Sequence, residues 1–399
     1  GRVGGDGAGR TAHGVGRGGL GSRPILLRWV YLCALVWFVA VLLAKFTALS
    51  VVVLTLAWLE RKLLGRLQRR LGPTRTGPMG LMQPVADALK LILKEDIVPT
   101  SSEKAIFWIA PVLVVVPAFM IWVTIPGTEN LVLKNLGDLG LFYIIAFSVV
   151  GILGLVLAGW GSANKYGTLG GLRAAAQLIS YEIPVIMVVI AVAMLAQSLN
   201  MVEIVEKQGS YPYVLVFPLG LVIFFIAGLA EVGRTPFDIY FAESEIVGGP
   251  FVEYSGAHWS VFFLAEYINT FAVAALTVLL FLGGWSGPFL TGNWEIIWFL
   301  AKVYAVILVI FWIRGTFPRL RIDQLMAFAW KVMVPLSFYA IVITSVYLFY
   351  GLPPWTLTLM SLAGLAVVGY AIYRRFAGPA SQAAQVRARY LALQSRSGQ

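Results

Sequence analysis

The chain has 399 residues, a mean hydropathy of +0.83, 59% hydrophobic residues and only 12% charged ones. Soluble domains average about 25% charged residues, so the composition excludes an ordinary soluble domain and fits an integral membrane protein. A formal net charge of +11 would suggest nucleic acid in a soluble chain; here basic loops that orient helices in a bilayer account for it.

Apolar stretches of about 20 residues recur, long enough to cross a hydrocarbon core about 30 Å thick as helices. The polar–apolar alternation of a membrane barrel is absent, so the predicted fold is all-α, a polytopic transmembrane bundle of eight to nine spans. One cysteine, Cys33, and two histidines, His13 and His258, leave no internal disulfide, Cys/His metal cluster or covalent haem site to build. A redox cofactor used by this chain is therefore expected to be diffusible or to sit on a partner.

Residues 1–23 are rich in Gly and Arg without apolar periodicity and are predicted to be disordered. "GVGRGG", Gly14–Gly19, matches G-x-G-x-x-G, but no strand precedes it and no helix follows, so nucleotide binding is not expected there. The segment lacks an h-region ending in a cleavage site, which argues against a signal peptide. The transmembrane domain is predicted over 24–373, with spans at about 24–59, 105–126, 139–160, 179–199, 213–231, 260–283, 294–314, 332–350 and 355–373, and a cytoplasmic tail over 374–399. The first span is too long for an upright helix and should tilt strongly or extend out of the bilayer.

Loop 60–104 carries nine Lys/Arg, among them Arg61, Lys62, Arg66, Arg69, Arg70 and Arg75; loops 161–178 and 314–331 and the tail are basic too. The opposite connections, 127–138, 200–212, 284–293 and 351–354, hold two lysines in total. The positive-inside rule then places the first set and the C-terminus in the cytoplasm. Arg2, Arg10, Arg17 and Arg23 fall outside, against that rule. Within loop 60–104 a basic amphipathic helix end, a turn at Gly72-Pro73 and Gly77-Pro78, and a second amphipathic helix follow one another. That pattern fits an interfacial helix on anionic lipid; the fixed Gly/Pro turn also fits the mouth of a binding site.

The acidic connection 231–259 does not contribute to orientation. Between Gly228 and Gly256 stand Glu231, Asp238, Glu243, Glu245 and Glu253 against one arginine, Arg234. Glu182, Glu231, Glu266, Lys45 and Lys302 fall within or at the ends of apolar spans, where ionisable groups are costly and usually functional. If 238–245 is helical, Asp238 and Glu245 share a face two turns apart. Carboxylates crowded in a partly dry site can pass protons along, or bind and release them as neighbouring charge changes. The alternative is that they are solvated loop charges or structural partners of Arg234 and Arg173.

"ERKLLGRLQRRLGP" with "GPMGLMQPVADALKLILKED", then "GWGSANKYGTLGGLRAAAQLISYE", "AEVGRTPFD", "EYSGAHWSVFFLAEY" and "IRGTFPRLRIDQLM", resemble, in order, the blocks of the respiratory complex I subunit 1 family, whose bacterial members are the H subunits of NADH–quinone oxidoreductase. The likeness runs from about Trp58 to Leu336. It implies a subunit of the bacterial inner membrane that anchors the peripheral electron-transfer arm to the membrane arm, with quinone (ubiquinone or menaquinone) as substrate. FMN and iron–sulfur clusters would lie on partner subunits, and antiporter-like membrane subunits would be further partners; no nucleic acid is implied. The chain would not be catalytic alone. By position, the resemblance assigns a quinone chamber to Glu60, Arg61, Arg70, Asp87, Ala88, Phe263, Arg314 and Arg319. It assigns a proton path to Glu182, Glu231, Asp238, Glu243, Glu245 and Glu266.

The chain departs from the family in places. "PFDIYFAE" stands where "PFDLPEAE" is usual, so Tyr240 and Phe241 replace a Pro-Glu and one acid is missing; "GPFVEYSG" stands for "GYHTEYSG", and "EVGR" for "ETNR". The ninth span and both termini lie outside the core likeness. Two other readings are the equivalent subunit of a membrane-bound hydrogenase or ferredoxin-linked complex, and a free-standing ion transporter. The second should show an internal repeat, and no self-similarity of that kind is present. A purely structural anchor would not explain Glu231 and Glu266.

Overall fold

The computed structural model describes residues 23–128, 139–209, 211–287, 294–371 and 373–374, excepting the side chains of 23–35, 37, 38, 42, 243 and 244. The predicted disordered segment up to residue 22 and the tail beyond Arg374 lie outside that set. Among the described residues every regular element is helical. Among the described residues eight helices are long and apolar enough to cross a membrane, which makes the chain a multi-pass membrane protein.

The chain divides into two units, residues 1–49 and 50–399. Helix α1, Arg23–Leu67, begins in the first, which also holds Lys45; its stretch from Ser50 onward belongs to the second, as does everything that follows. After α1 come α2 (Gln83–Leu93), α3 (Lys104–Thr124), α4 (Gly140–Gly161), α5 (Lys165–Ala196), α6 (Met201–Lys207), α7 (Tyr213–Val216) and α8 (Pro218–Val232). Then follow α9 (Glu243–Ile246), α10 (Gly256–Phe281), α11 (Glu295–Thr316), α12 (Ile322–Phe328), α13 (Val334–Tyr350) and α14 (Pro354–Ala371). A π-helical turn, Ala329–Met333, joins α12 to α13 into one apolar rod.

In the second unit α3, α4 and α5 pack in sequence, α5 also meets α8 and α13, and α10 is central, packing on α2, α3, α8 and α11. Apolar surface gains little from leaving lipid, so close approach of backbones decides such packing. The α4–α5 hairpin shows it: a Cβ on Gly159 would lie 2.5 Å from the Gly167 carbonyl oxygen and 2.9 Å from Gly171 Cα.

The helices correct the expected boundaries. The fourth span does not begin near 179; α5 starts at Lys165, so most of 161–178 is helix, not loop. Asn164 caps it, its Oδ1 accepting from Tyr166 N at 2.9 Å. The fifth expected span, 213–231, is the short turn α7 followed by the 15-residue α8. The ninth is present as α14. Segment 238–245 is not one helix, because helix resumes only at Glu243. Asp238 and Glu245 therefore do not share a helical face. Gly233 ends α8 in the left-handed region, φ 71°, where a Cβ would fall 2.1 Å from Tyr240 Oη.

Candidate functional site

The last turns of α1 carry Glu60 and Arg61 to opposite fates. Glu60 is 4% exposed and sits among three partners. Tyr267 Oη donates to its Oε2 at 2.7 Å, Arg234 Nη1 stands 3.5 Å from the same oxygen, and Arg314 donates to Oε1. Arg234, 3% exposed, also places Nε 3.1 Å from Glu266 Oε1 and lies 4.5 Å from the centre of the Tyr267 ring. Burial alone would favour a neutral Arg234; the facing carboxylates of Glu266 and Glu60 reverse this and hold it protonated. Two acids, two arginines and a tyrosine from α1, α10, α11 and the segment after α8 thus form one network.

Beside it lies a cavity of about 210 Å³. Trp259, Phe263 and Tyr267, at i, i+4 and i+8 on α10, line one wall, the first pair stacked at 5.3 Å between centroids and the second tilted at 4.7 Å. Glu231, Arg234, Asp238, Glu266 and Arg314 supply its polar lining. Asp238 pairs with Arg319 Nη2 at 3.2 Å. Burial raises the Asp238 carboxyl above its ordinary value, against the opposing pull of Arg319, Arg314 and Arg234.

Glu231 and Asn269 also line a second, mainly apolar cavity of about 70 Å³, which Ser148 borders. Ser148 Oγ stands 2.8 Å from Glu182 Oε1 and 2.8 Å from the Ile145 carbonyl. One hydroxyl proton can serve only one of these acceptors at a time. Glu182 is buried, and its Oε2 has no hydrogen-bond partner. Glu231 thus lines both cavities, the first with Asp238 and Glu266 and the second with Ser148, whose hydroxyl reaches Glu182.

Arg61 reaches instead toward α2, forming an ion pair with Asp87 in which the side chains remain 44% and 30% exposed. Gln83 Nε2 donates to Asp87 Oδ1 at 3.2 Å, and Thr76 Oγ1 to Gln83 Oε1 at 2.6 Å. The intervening turn is fixed by Gly80, φ 77°, where a Cβ would meet the Pro73 carbonyl oxygen at 2.2 Å. Ala88 follows Asp87 on α2; Arg70 turns to Gln68 at 2.7 Å.

The predicted residues thus fall into distinct groups. Glu60, Phe263, Arg314 and Arg319 of the expected chamber, and Glu231, Asp238 and Glu266 of the expected path, gather around the larger cavity and its network. Arg61 near the end of α1, Arg70 in the connection after it, and Asp87 and Ala88 on α2 lie apart from that network. Glu245 pairs with Arg173 at 2.6 Å, as the structural-partner alternative expects, whereas Glu253 accepts from Asn164 Nδ2 at 2.5 Å, a partner not expected. Glu243 opens α9, and its side chain lies outside the described residues. The acidic stretch is not unmatched: Arg173 and Arg319 reach it from other elements. Lys302 donates to the carbonyls of Leu282, Gly284 and Ser286 at 2.8, 3.1 and 2.8 Å, a structural role.

Sequence reading missed Tyr267, Trp259, Asn269 and Ser148 as site residues and saw Arg234 only as a counter-charge. Tyr267 and Trp259 were recoverable from the four-residue aromatic spacing around Phe263. In place of the usual Pro-Glu, Tyr240 donates to the Val232 carbonyl at 3.3 Å, its phenol pushed up by burial, and Phe241 packs on Phe251.

The sequence profile of the NADH dehydrogenase family matches residues 39–345. The H subunit of NADH-quinone oxidoreductase from Dehalococcoides mccartyi is 47% identical over 317 residues, 79% of this chain and 87% of the relative. The protein of the same name from Brevibacillus brevis is 45% identical over 319 residues, 79% and 94% of the two chains. That of Geobacillus kaustophilus is 49% identical over 290 residues, 72% and 86%. With its membrane helices and these relatives, the chain belongs to the NADH dehydrogenase family, among the H subunits of NADH-quinone oxidoreductases.

Proposed function

We propose that the chain is the membrane subunit that receives quinone in a proton-translocating NADH–quinone oxidoreductase and passes the effect of its reduction to a line of carboxylates. The observation that carries this reading is the larger cavity, whose single lining combines Phe263 and Arg314 with Glu231, Asp238 and Glu266. A quinone headgroup in such a cavity lies against an aromatic wall, and its oxygens face cationic donors. Electrons come from an iron–sulfur cluster on a peripheral-arm partner, since this chain's composition offers no ligand set for one. FMN belongs to that arm as well, and antiporter-like subunits lie beyond the far end of the path.

Reduction of the quinone to its quinol consumes two electrons and two protons. The donors at the cavity are the protonated side chains that face it, refilled from the aqueous side. Loss of a proton from one carboxylate changes the field at Glu231 and, through it, at Glu182. Small movements of charge in a dry site carry large energies. The Arg61–Asp87 pair and the turn held by Gly80 form the cytoplasmic rim of the chamber, and the C-terminus lies in the cytoplasm.

A photoreactive short-tailed quinone, applied to the purified complex during NADH oxidation, tests the placement. Label is expected on peptides between Glu231 and Tyr267, and competition by unmodified quinone should remove it. Label confined to other segments of this chain or to partners contradicts it.

A further inference from the structure

The α13–α14 pair holds an apolar groove that the proposed function does not use. It measures about 480 Å³ and is lined by Pro335, Leu336 and Tyr339 on one side, Gly364, Val367 and Val368 on the other, with Lys331 at one end. Gly364 keeps it narrow at the floor: a Cβ there would sit 2.6 Å from Tyr339 Cε1, and Tyr339 Oη is held by the Met360 carbonyl at 3.0 Å.

The two ends differ. At one, α13 turns into α14 through Gly351 and Pro353-Pro354. At the other, Lys331 lies across from Ala371. Arg374 follows less than one turn later, its guanidinium 5.8 Å from the Tyr370 ring. Lys331 and Arg374 are both exposed. Trp330, Tyr370 and Tyr373 at the same end are also exposed, the aromatic and basic pattern of a headgroup layer. From Arg374 onward the sequence holds Arg375, Arg387, Arg389 and Arg396 and no acid.

We propose that this groove is a site for one anionic glycerophospholipid, an acyl chain lying along α13 and α14 and the phosphate between Lys331 and Arg374. The groove supplies the apolar surface, and the exposed cations at its mouth select the charge. A zwitterionic lipid would bring its own cation into that basic mouth and gain less. A helix of a partner subunit would satisfy the groove but leave Lys331 facing an apolar surface.

The intact complex, purified through a tag on this chain, is stripped of lipid with detergent and offered phosphatidylglycerol or phosphatidylcholine. Retained lipid is counted by native mass spectrometry. The complex is expected to hold one more phosphatidylglycerol than a Val367→Trp complex, in which the groove is filled. Lys331→Gln and Arg374→Gln should each lower phosphatidylglycerol occupancy about fivefold, leaving phosphatidylcholine unchanged. Equal retention of both lipids, or counts that none of the three variants alters, overturns the proposal. So does a photocrosslinker at Val367 that captures a partner polypeptide in place of lipid. A Val367→Trp effect without any effect of the two glutamines also overturns it, because the charge selection is then absent.

Discussion

Glu60 and Arg61 are consecutive residues on α1, yet one is sealed inside the bundle and the other borders solvent. On a helix of 3.6 residues per turn, neighbouring side chains diverge by about 100°, so a single step separates two regimes of electrostatics. The buried acid has three polar partners, from α10, α11 and the segment after α8; the exposed base has one carboxylate. A buried charge stripped of its partner is costly, whereas an exposed pair contributes about 0–1 kcal/mol because water and salt screen it. The inner network therefore holds the site together, and the rim can be altered without loosening the bundle.

Arg234 is where that contrast breaks hardest. Arg234→Leu leaves Glu60 and Glu266 facing each other without their shared cation, and removing one partner of a buried pair typically costs about 3–5 kcal/mol. The expected result is little assembled complex on a native gel of solubilised membranes. Near-normal assembly would mean that the two acids are held by something else. Tyr267→Phe is milder, because one hydrogen bond to a charged acceptor is worth about 1.5–3 kcal/mol. It should assemble and melt at a lower temperature.

At the rim the expectation reverses. Asp87→Asn and Arg61→Ala should leave the melting temperature nearly unchanged while NADH–quinone reduction falls, with NADH–ferricyanide reduction retained because it bypasses quinone. Equal loss of both activities would indicate failed assembly and dissolve the distinction between rim and interior.

The smallest effect concerns pH. Burial raises Asp238, and Arg319 opposes that rise. An acid whose folded-state value is raised favours the folded protein at low pH and loses that contribution as pH climbs through the raised value. Arg319→Ala removes the opposing cation, so its loss in melting temperature should be larger at about pH 8 than at about pH 5. Adding Asp238→Asn should flatten the difference; a pH-independent loss would detach Arg319 from Asp238.

Much of this was legible in the sequence, for identifiable reasons. Long apolar runs specify membrane helices, and the ordered blocks from "ERKLLGRLQRRLGP" to "IRGTFPRLRIDQLM" identify the family. The start of α5 was not legible, because "NKYGTLGGLRAAAQ" has no apolar run. Its helicity comes from glycines that admit α4 closely, a tertiary effect. The counter-charges were hidden by distance along the chain: Arg314 meets Glu60 across 254 positions, Arg319 meets Asp238 across 81, and Arg173 meets Glu245 across 72. Ser148 escaped notice because a lone serine in an apolar helix ordinarily satisfies itself on its own backbone; here Glu182 competes for it.

In the proposed function one cavity joins the quinone to the carboxylates, and Glu266 stands at the junction. Glu266→Gln keeps the shape and leaves Arg234 its pairing with Glu60, so the complex should assemble. The decisive measurement is the number of protons moved per NADH oxidised in sealed vesicles, alongside the rate of quinone reduction. The proton count should collapse while the complex remains assembled; an unaltered count in that variant would remove Glu266 from the path and contradict the proposed coupling.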